Sequence, residues 1–146
     1  MVRVRPLDVD DLERLAPIDA AAAARAGGAP ALTPGGMAFY ARTGHAFVAE
    51  TGDAPRGFCL AQAIWDGRRP TLRLATLAVA DAADGEAREA LLEAVTKSAY
   101  DAAVYDLVAE LPEGDEAAHR LLAREGWSPE PVRLFRRTLG SRGATP

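Results

Sequence analysis

Few residues in this chain have the type and setting to do chemistry. The loop Asp81-Ala82-Ala83-Asp84-Gly85, followed by Glu86, Ala87 and Arg88, lies where an apolar stretch gives way to a helical pattern. A strand passing through a short loop into a helix presents unpaired N–H groups and the positive end of the macrodipole, so it can take an anion. Asp81, Asp84 and Glu86 allow a second reading of the same residues, an ordinary acidic helix start that complements the dipole. Cys59 is the only cysteine, which excludes a disulfide framework and a thiolate metal cluster. It sits inside an apolar run with no histidine beside it, the setting of a small core residue rather than a nucleophile. His45, after Gly44, reads as an exposed or edge residue and His119 as a solvated one. Two histidines without a paired ligand pattern make no metal site.

Other candidates follow from position. Asp66-Gly67 is a turn dipeptide, and Asp66 is a general-base candidate only if that strand end borders a cleft. Tyr100 and Tyr105 flank a strand pattern, where packing in the core or at an edge competes with reaching a cleft. Glu110 stands at the carboxyl end of that strand, the end at which open α/β sheets take ligands. Trp65, Trp127 and Phe135 read as core or interface aromatics, and Arg68-Arg69 and Arg136-Arg137 as solvated pairs. No phosphate-binding G-x-x-x-x-G-K-[ST] and no G-x-S-x-G nucleophile elbow occurs.

The elements that must position these residues are organised around Leu72 to Val95. Leu72 to Val79 alternates and then becomes continuously apolar, as a strand buried on both faces towards its end would. From Glu86, residues Ala87, Ala90, Leu91, Ala94 and Val95 mark one face of a helix expected from Gly85 to Tyr100. Upstream, Val2 to Pro6 alternates as a strand, and Asp8 or Asp10 caps a helix carrying Leu12, Leu15 and Ile18. Pro17 is expected to bend or end its regular part; Gly27, Gly28 and Pro30 close any extension through Ala20–Ala26. Thr33-Pro34 starts a second helix, stopped by Gly44. Strands are expected at His45–Glu50, Gly57–Trp65 and Thr71–Val79, joined as antiparallel hairpins. Val104–Glu110 reads as a further strand, Asp115 caps a short helix with Ala118, Leu121 and Leu122, and Gly126 ends it. Val132–Leu139 alternates as a final strand before a tail, 141–146, expected to be disordered.

With 146 residues, 49% hydrophobic and 26% charged, the chain reads as a globular domain over 1–140. A formal charge of −4 argues against nucleic acid as a partner. The N-terminus lacks a signal-peptide core and no run reaches membrane-spanning length, so a cytoplasmic location without membrane attachment is the expectation.

The order strand, loop, helix containing Leu91-Leu92, strand VYDLVAE, short helix and Gly126-Trp127 resembles the GNAT-type N-acetyltransferase superfamily. The resemblance implies an α/β (α+β) fold with a mixed, mostly antiparallel sheet flanked by helices, in the order β-α-α-β-β-β-α-β-α-β. It also implies that the fourth and fifth strands run parallel and splay around acetyl-coenzyme A. The backbone of Leu77, Ala78 and Val79 would then follow the pantetheine arm. The family loop Q/R-x-x-G-x-G/A, which holds the pyrophosphate, falls on Gly85-Glu86-Ala87 with Ala82 in the Gln/Arg place. In a second register Glu86 and Arg88 replace both glycines.

The family's usual catalytic groups are absent. Leu122 stands where many members carry a tyrosine as general acid, Asp115 reads as a cap, and Thr71–Val79 holds no carboxylate to serve as base. The catalytic residues are therefore unassigned. Two readings remain. One is an acyl-coenzyme A-dependent N-acyltransferase with an unknown amine acceptor. The other is a degenerate member of the fold that binds a ligand or protein partner, or serves structurally as a homodimer.

Overall fold

The computed structural model describes residues 1–140. The expected tail at 141–146 lies outside the described residues. The elements are β1 (Arg3–Pro6), a 3-10 turn (Val9–Asp11), α1 (Leu12–Ala26), α2 (Pro34–Tyr40), β2 (Phe47–Thr51), β3 (Ala54–Trp65), β4 (Pro70–Val79), α3 (Gly85–Asp101), β5 (Asp106–Ala109) and α4 (Glu116–Arg124). The strands form one five-stranded sheet in sequence order. β1 to β4 are antiparallel, and β4 and β5 are parallel.

Local chemistry sets the helix ends. Asp8 and Asp11 form a capping box around the 3-10 turn, Asp8 Oδ1 accepting from Asp10 N at 2.9 Å and Asp11 Oδ2 from Asp8 N at 2.8 Å. Thr33 Oγ1 caps α2 by accepting from Gly36 N at 3.0 Å. The α1 helix ends at Gly27, whose φ of 76° is the left-handed conformation that glycine adopts without steric cost. One expectation is corrected here. Pro17 neither ends nor divides α1, which runs unbroken to Ala26. Pro17 is exposed, so the Glu13 carbonyl that loses its helical donor stays open to water.

The sheet is covered on both faces. α3 and α4 pack on one, where Leu91, Leu92, Val95, Ala118 and Leu121 meet Cys59, Ala61, Leu72, Leu74, Leu77 and Val79. α1 and α2 pack on the other, where Leu15, Ile18 and Met37 meet Val48, Phe58, Leu60 and Ala78. Strict alternation would place Leu72 and Leu74 on the opposite face from Leu77 and Val79. A bulge prevents this: Leu74 faces Ala61 and Thr76 faces the next residue, Leu60, so Ala75 has no opposite number. The extra residue shifts the alternation by one and keeps all four side chains against α3.

A second correction concerns the C-terminus. Val132–Leu139 is not a strand in the structure; it is exposed and forms no regular element after α4, and β5 is the last strand among the described residues. Its apolar and polar residues alternate as a strand's do, but within one chain it has no ladder partner among the described residues.

Candidate functional site

The bulge at Ala75 coincides with the point where β4 and β5 part. Their ladder runs only from Thr71–Asp106 to Leu74–Ala109, with one further bond from Glu110 N to Leu74 O at 3.1 Å. Beyond it the carboxyl-terminal half of β4 has no strand neighbour on that side among the described residues. Ala80 N donates to Arg56 O of β3 at 2.8 Å, so by antiparallel alternation the main-chain groups of Ala78 also face β3. Those of Leu77 and Val79 therefore face the gap. A bulge adds local twist, and twist separates the two strands.

The gap is a cleft of about 310 Å³. Its walls are Leu77, Ala78 and Val79 from β4, Ala22, Arg25 and Ala26 from the end of α1, Arg88 from α3, and Gly114 to Ala117 with Arg120 at the start of α4. A second hollow of about 230 Å³ lies beside it, between Ala82, Ala83 and Gly85 on one side and Arg120 and Arg124 on the other, with Arg88 common to both. The end of α1 comes close to the loop before α4: a Cβ on Gly114 would stand 3.2 Å from Ala26 O.

The residues expected from sequence to bind a cofactor are placed as follows. Leu77, Ala78 and Val79 line the cleft with Arg88, and Gly85 lines the adjoining hollow. Glu86 is exposed in the first turn of α3. Ala87 is fully buried and packs into the core on the α3 face, so its side chain is not part of the cleft wall. Ala82, where the family pattern has Gln or Arg, does line the cleft.

Electrostatics divide the site. Asp84 caps α3, its Oδ1 accepting from Ala87 N at 3.0 Å. Arg56 binds the same carboxylate through both oxygens, at 2.6 and 2.8 Å, and Arg56 Nη1 reaches Glu86 at 3.2 Å. The Arg56 hydrogen bonds hold the Asp84 carboxyl below its usual range, against the opposing effect of burial. Asp81 is exposed and accepts from Ala83 N at 2.9 Å, while Gly85 N donates to Ala83 O at 2.9 Å. Of the first-turn amides of α3, Glu86 N is the one left without an acceptor among the described residues.

Cations supply the opposite charge. Arg124 is paired with Glu89 and Arg120 lies 3.8 Å from Glu116. Arg88 is only 6% exposed and forms no ion pair among the described residues, although its charge reaches Asp84. Burying an arginine this deeply beside an open cleft leaves guanidinium donors facing that cleft. Arg25 donates to Val79 O at 2.7 Å and to Ala80 O at 3.3 Å, tying the end of α1 to the gap-facing edge of β4.

The remaining candidates lie elsewhere. Cys59 is wholly buried, and desolvation pushes its thiol up to about 12, so it is no nucleophile at neutral pH. His45 is corrected: it is buried, its Nδ1 is 2.8 Å from Ser98 Oγ, and burial lowers its affinity for a proton. Asp66 is a turn residue, accepting from Arg68 N and Arg69 N at 2.8 Å each, and these bonds lower its pKa. Tyr100 and Tyr105 are corrected too. Both are exposed, packed edge to face at 5.9 Å, and neither lines the cleft. Glu110 forms a two-pronged bond with Arg73, at 2.8 and 2.9 Å, which keeps it ionised below its usual range. Trp127 packs against the core, whereas Trp65 and Phe135 are exposed. Leu122 also packs against the core.

Sequence reasoning missed Arg25, Arg120 and Arg124. Each is a lone arginine on a helix read mainly for its apolar positions. The signal was present only as a cation near the end of an alanine run and two more on a short helix, and no spacing rule connects α1 with β4.

A parallel strand pair that opens around a cleft, with a helix N-terminus at its mouth, defines the fold of the GNAT-type N-acetyltransferases. The chain belongs to the family described as protein of unknown function (DUF1999), whose model matches residues 2–128. The chain is similar to TTHA1254 from Thermus thermophilus, at 40% identity and a TM-score of 0.73, covering 96% of this chain and 99% of that one. The ribosomal-protein-alanine N-acetyltransferase of Brucella melitensis biovar Abortus 2308 shares the fold at 18% identity and a TM-score of 0.71, covering 94% of this chain and 100% of that one. So does the aminoglycoside N-acetyltransferase AAC(6')-Iy, solved in complex with CoA, at 13% identity and a TM-score of 0.73, covering 94% and 95%. No curated protein gives a significant match. No helix among the described residues is long and apolar enough to cross a membrane.

Proposed function

We propose that the protein is an acyl-coenzyme A-dependent N-acyltransferase, with acetyl-coenzyme A as donor and an amine as acceptor. The observation that carries this reading is the buried, unpaired Arg88 at the junction of the cleft and the hollow beside it. A pyrophosphate at that junction would meet Arg88, the free Glu86 N–H and, from α4, Arg120. A pantetheine arm laid along Leu77 to Val79 would add to the open edge of β4 by main-chain hydrogen bonds. Arg25 must then release Val79 O, because an amide N–H of the arm needs the same acceptor.

The cofactor would supply the activated thioester. Held along Leu77 to Val79, that thioester would give up its acyl group to a neutral amine, a C–N bond forming as the C–S bond breaks and the thiolate leaves. The gap-facing N–H of Leu77 is oriented to stabilise the oxyanion. With Leu122 apolar and Glu110 held by Arg73, the proton from the amine passes to solvent and the thiolate is protonated from solvent. Positioning then contributes most of the rate enhancement.

A second reading has an observation of its own. Asp81 and Asp84 already accept N–H groups of the loop that would cradle phosphate, as in a protein that has left catalysis and keeps the fold for binding. Isothermal titration with coenzyme A and acetyl-coenzyme A separates the two. Micromolar binding to the native protein, weakened in Arg88→Gln, supports the transferase and justifies screening amines. Absence of heat with either compound, together with no thermal shift, overturns it and favours the second reading.

A further inference from the structure

We propose that Tyr40 and Arg73 hold a carboxylate of the acceptor, so that the amine acetylated here belongs to a small amino acid rather than to a polycation. This rests on the acyltransferase reading of the cleft and names its second substrate.

A pantetheine arm that runs from Val79 towards Leu77 brings its thioester next to the bulge at Ala75, where β4 and β5 part. Arg73 stands two residues beyond that bulge, roughly 7 Å further along the strand. Leu74 belongs to the face under α3, so Arg73 emerges on the opposite face, with Gln62 of β3 and Val108 of β5 beside it in register. This face is open to solvent here: the Arg73 side chain is 27% exposed and that of Glu110 39%. With a cofactor filling the gap from the side of α3 and α4, this is the approach left to an acceptor.

The groups along it suit a single negative charge. Glu110 binds Arg73 through Nε and Nη2, which fixes the plane of the guanidinium and leaves Nη1 without an acceptor among the described residues. The Glu110 hydrogen bonds and, with smaller effect, the nearby Tyr40 hydroxyl of α2 strengthen the hold of Arg73 on its proton. The Tyr40 O–H proton has no acceptor among the described residues either, so a phenol and a guanidinium edge offer donors to one spot. A flat carboxylate matches such a pair. Arg73 is the main group that keeps Glu110 ionised, and the charge of Arg136 acts in the same direction. Two arginines against one glutamate leave a net positive charge, which repels a polycation and favours the neutral, attacking form of an incoming amine. An amino acid held by its carboxylate then presents its amine to the thioester carbonyl. The C–N bond forms as the C–S bond breaks, giving the N-acetyl amino acid and coenzyme A, and the amine proton passes to solvent.

Turnover with acetyl-coenzyme A is measured for two matched pairs of acceptors, β-alanine with its amide and γ-aminobutyrate with its amide, and for spermidine. Within a pair the acid is expected to exceed the amide in kcat/KM by roughly tenfold or more. Arg73→Gln should bring that ratio close to one. Tyr40→Phe leaves the Arg73–Glu110 pair in place and should lower the ratio by roughly three- to tenfold. Binding is also read without turnover, by titrating the product γ-acetamidobutyrate while the Arg73 Nε–H resonance is followed, and a saturable shift is expected. Equal rates for acid and amide, a preference for spermidine, a ratio that both substitutions leave unchanged, or an Arg73 resonance that does not respond would each overturn the inference. So would an absence of turnover with all five amines while calorimetry shows acetyl-coenzyme A bound. Calorimetry that detects no acetyl-coenzyme A binding overturns the acyltransferase reading itself, and this inference with it.

Discussion

Arg88 and Asp84 lie one turn apart at the start of α3 and act on the cleft with opposite sign. Replacing Arg88 with Gln removes the charge and most of the donors facing the cleft, so coenzyme A affinity is expected to fall by roughly tenfold or more, checked by calorimetry. Replacing Asp84 with Asn keeps a capping oxygen for Ala87 N but ends the ion pair with Arg56. The expected outcome is split: lower stability in a denaturant titration, and affinity for the cofactor higher by roughly two- to five-fold, because a negative charge has left the loop proposed to hold phosphate. His45 tests a different part of the residue-scale picture. Burial lowers its folded pKa below the ordinary 6.5, so the unfolded chain takes up this proton first as the pH falls. Its stabilising contribution is complete above pH 6.5 and declines as the pH drops from there towards the folded pKa. The melting temperature of the native protein should therefore decline more between neutral pH and pH 5 than that of His45→Gln.

At the scale of elements, the cleft depends on β4, and β4 depends on the single extra residue at Ala75. The bulge keeps Leu77 and Val79 against α3 and ends the pairing with β5. The floor of the cleft is held from behind by Gly57 on β3. A Cβ there would stand 2.6 Å from Ala78 O and 3.1 Å from Val79 Cγ1. Gly57→Ala is therefore expected to destabilise the fold by about 1–3 kcal/mol, read by denaturant titration, and to weaken cofactor binding by moving Ala78 and Val79. None of this was legible beforehand. The period of Leu72–Val79 shows a strand, but where a bulge falls depends on the partner strand. Helix signals were clearer, since Thr33-Pro34, Asp84, Asp115 and Gly27 act through local bonds that the sequence alone specifies. Pro17 misled because a helix-breaking residue on a solvent-facing turn costs less than the burial of Leu15 and Ile18 on either side returns.

At the scale of the whole molecule, the order of elements and the mixed sheet were readable from hydrophobic pattern and turn chemistry. The site was readable only in part. Leu77–Val79 and Arg88 could be placed because they adjoin one strand-loop-helix unit. Arg25 and Arg120 enter from helices far away in the chain, which only the tertiary fold brings together. Val132–Leu139 has the alternation of a strand but forms no ladder among the described residues, because pairing depends on a partner that local pattern does not reveal. The proposed binding of a polyanionic cofactor beside Arg88 and Arg120 also has a consequence that no single residue determines. Affinity for coenzyme A is expected to fall steadily as salt is raised, as calorimetry in increasing sodium chloride would register.

The most direct test of the cleft as a cofactor site is a map of backbone amide shifts, recorded on the nitrogen-15-labelled protein as acetyl-coenzyme A is added. Perturbations should gather at Leu77 and Val79, whose main-chain groups face the gap, at Glu86, whose N–H is free, and at Ala117 and Arg120 across the cleft. A saturable response confined to those positions is the expected result. No response at millimolar acetyl-coenzyme A, or one centred away from the opening between β4 and β5, would contradict the assignment.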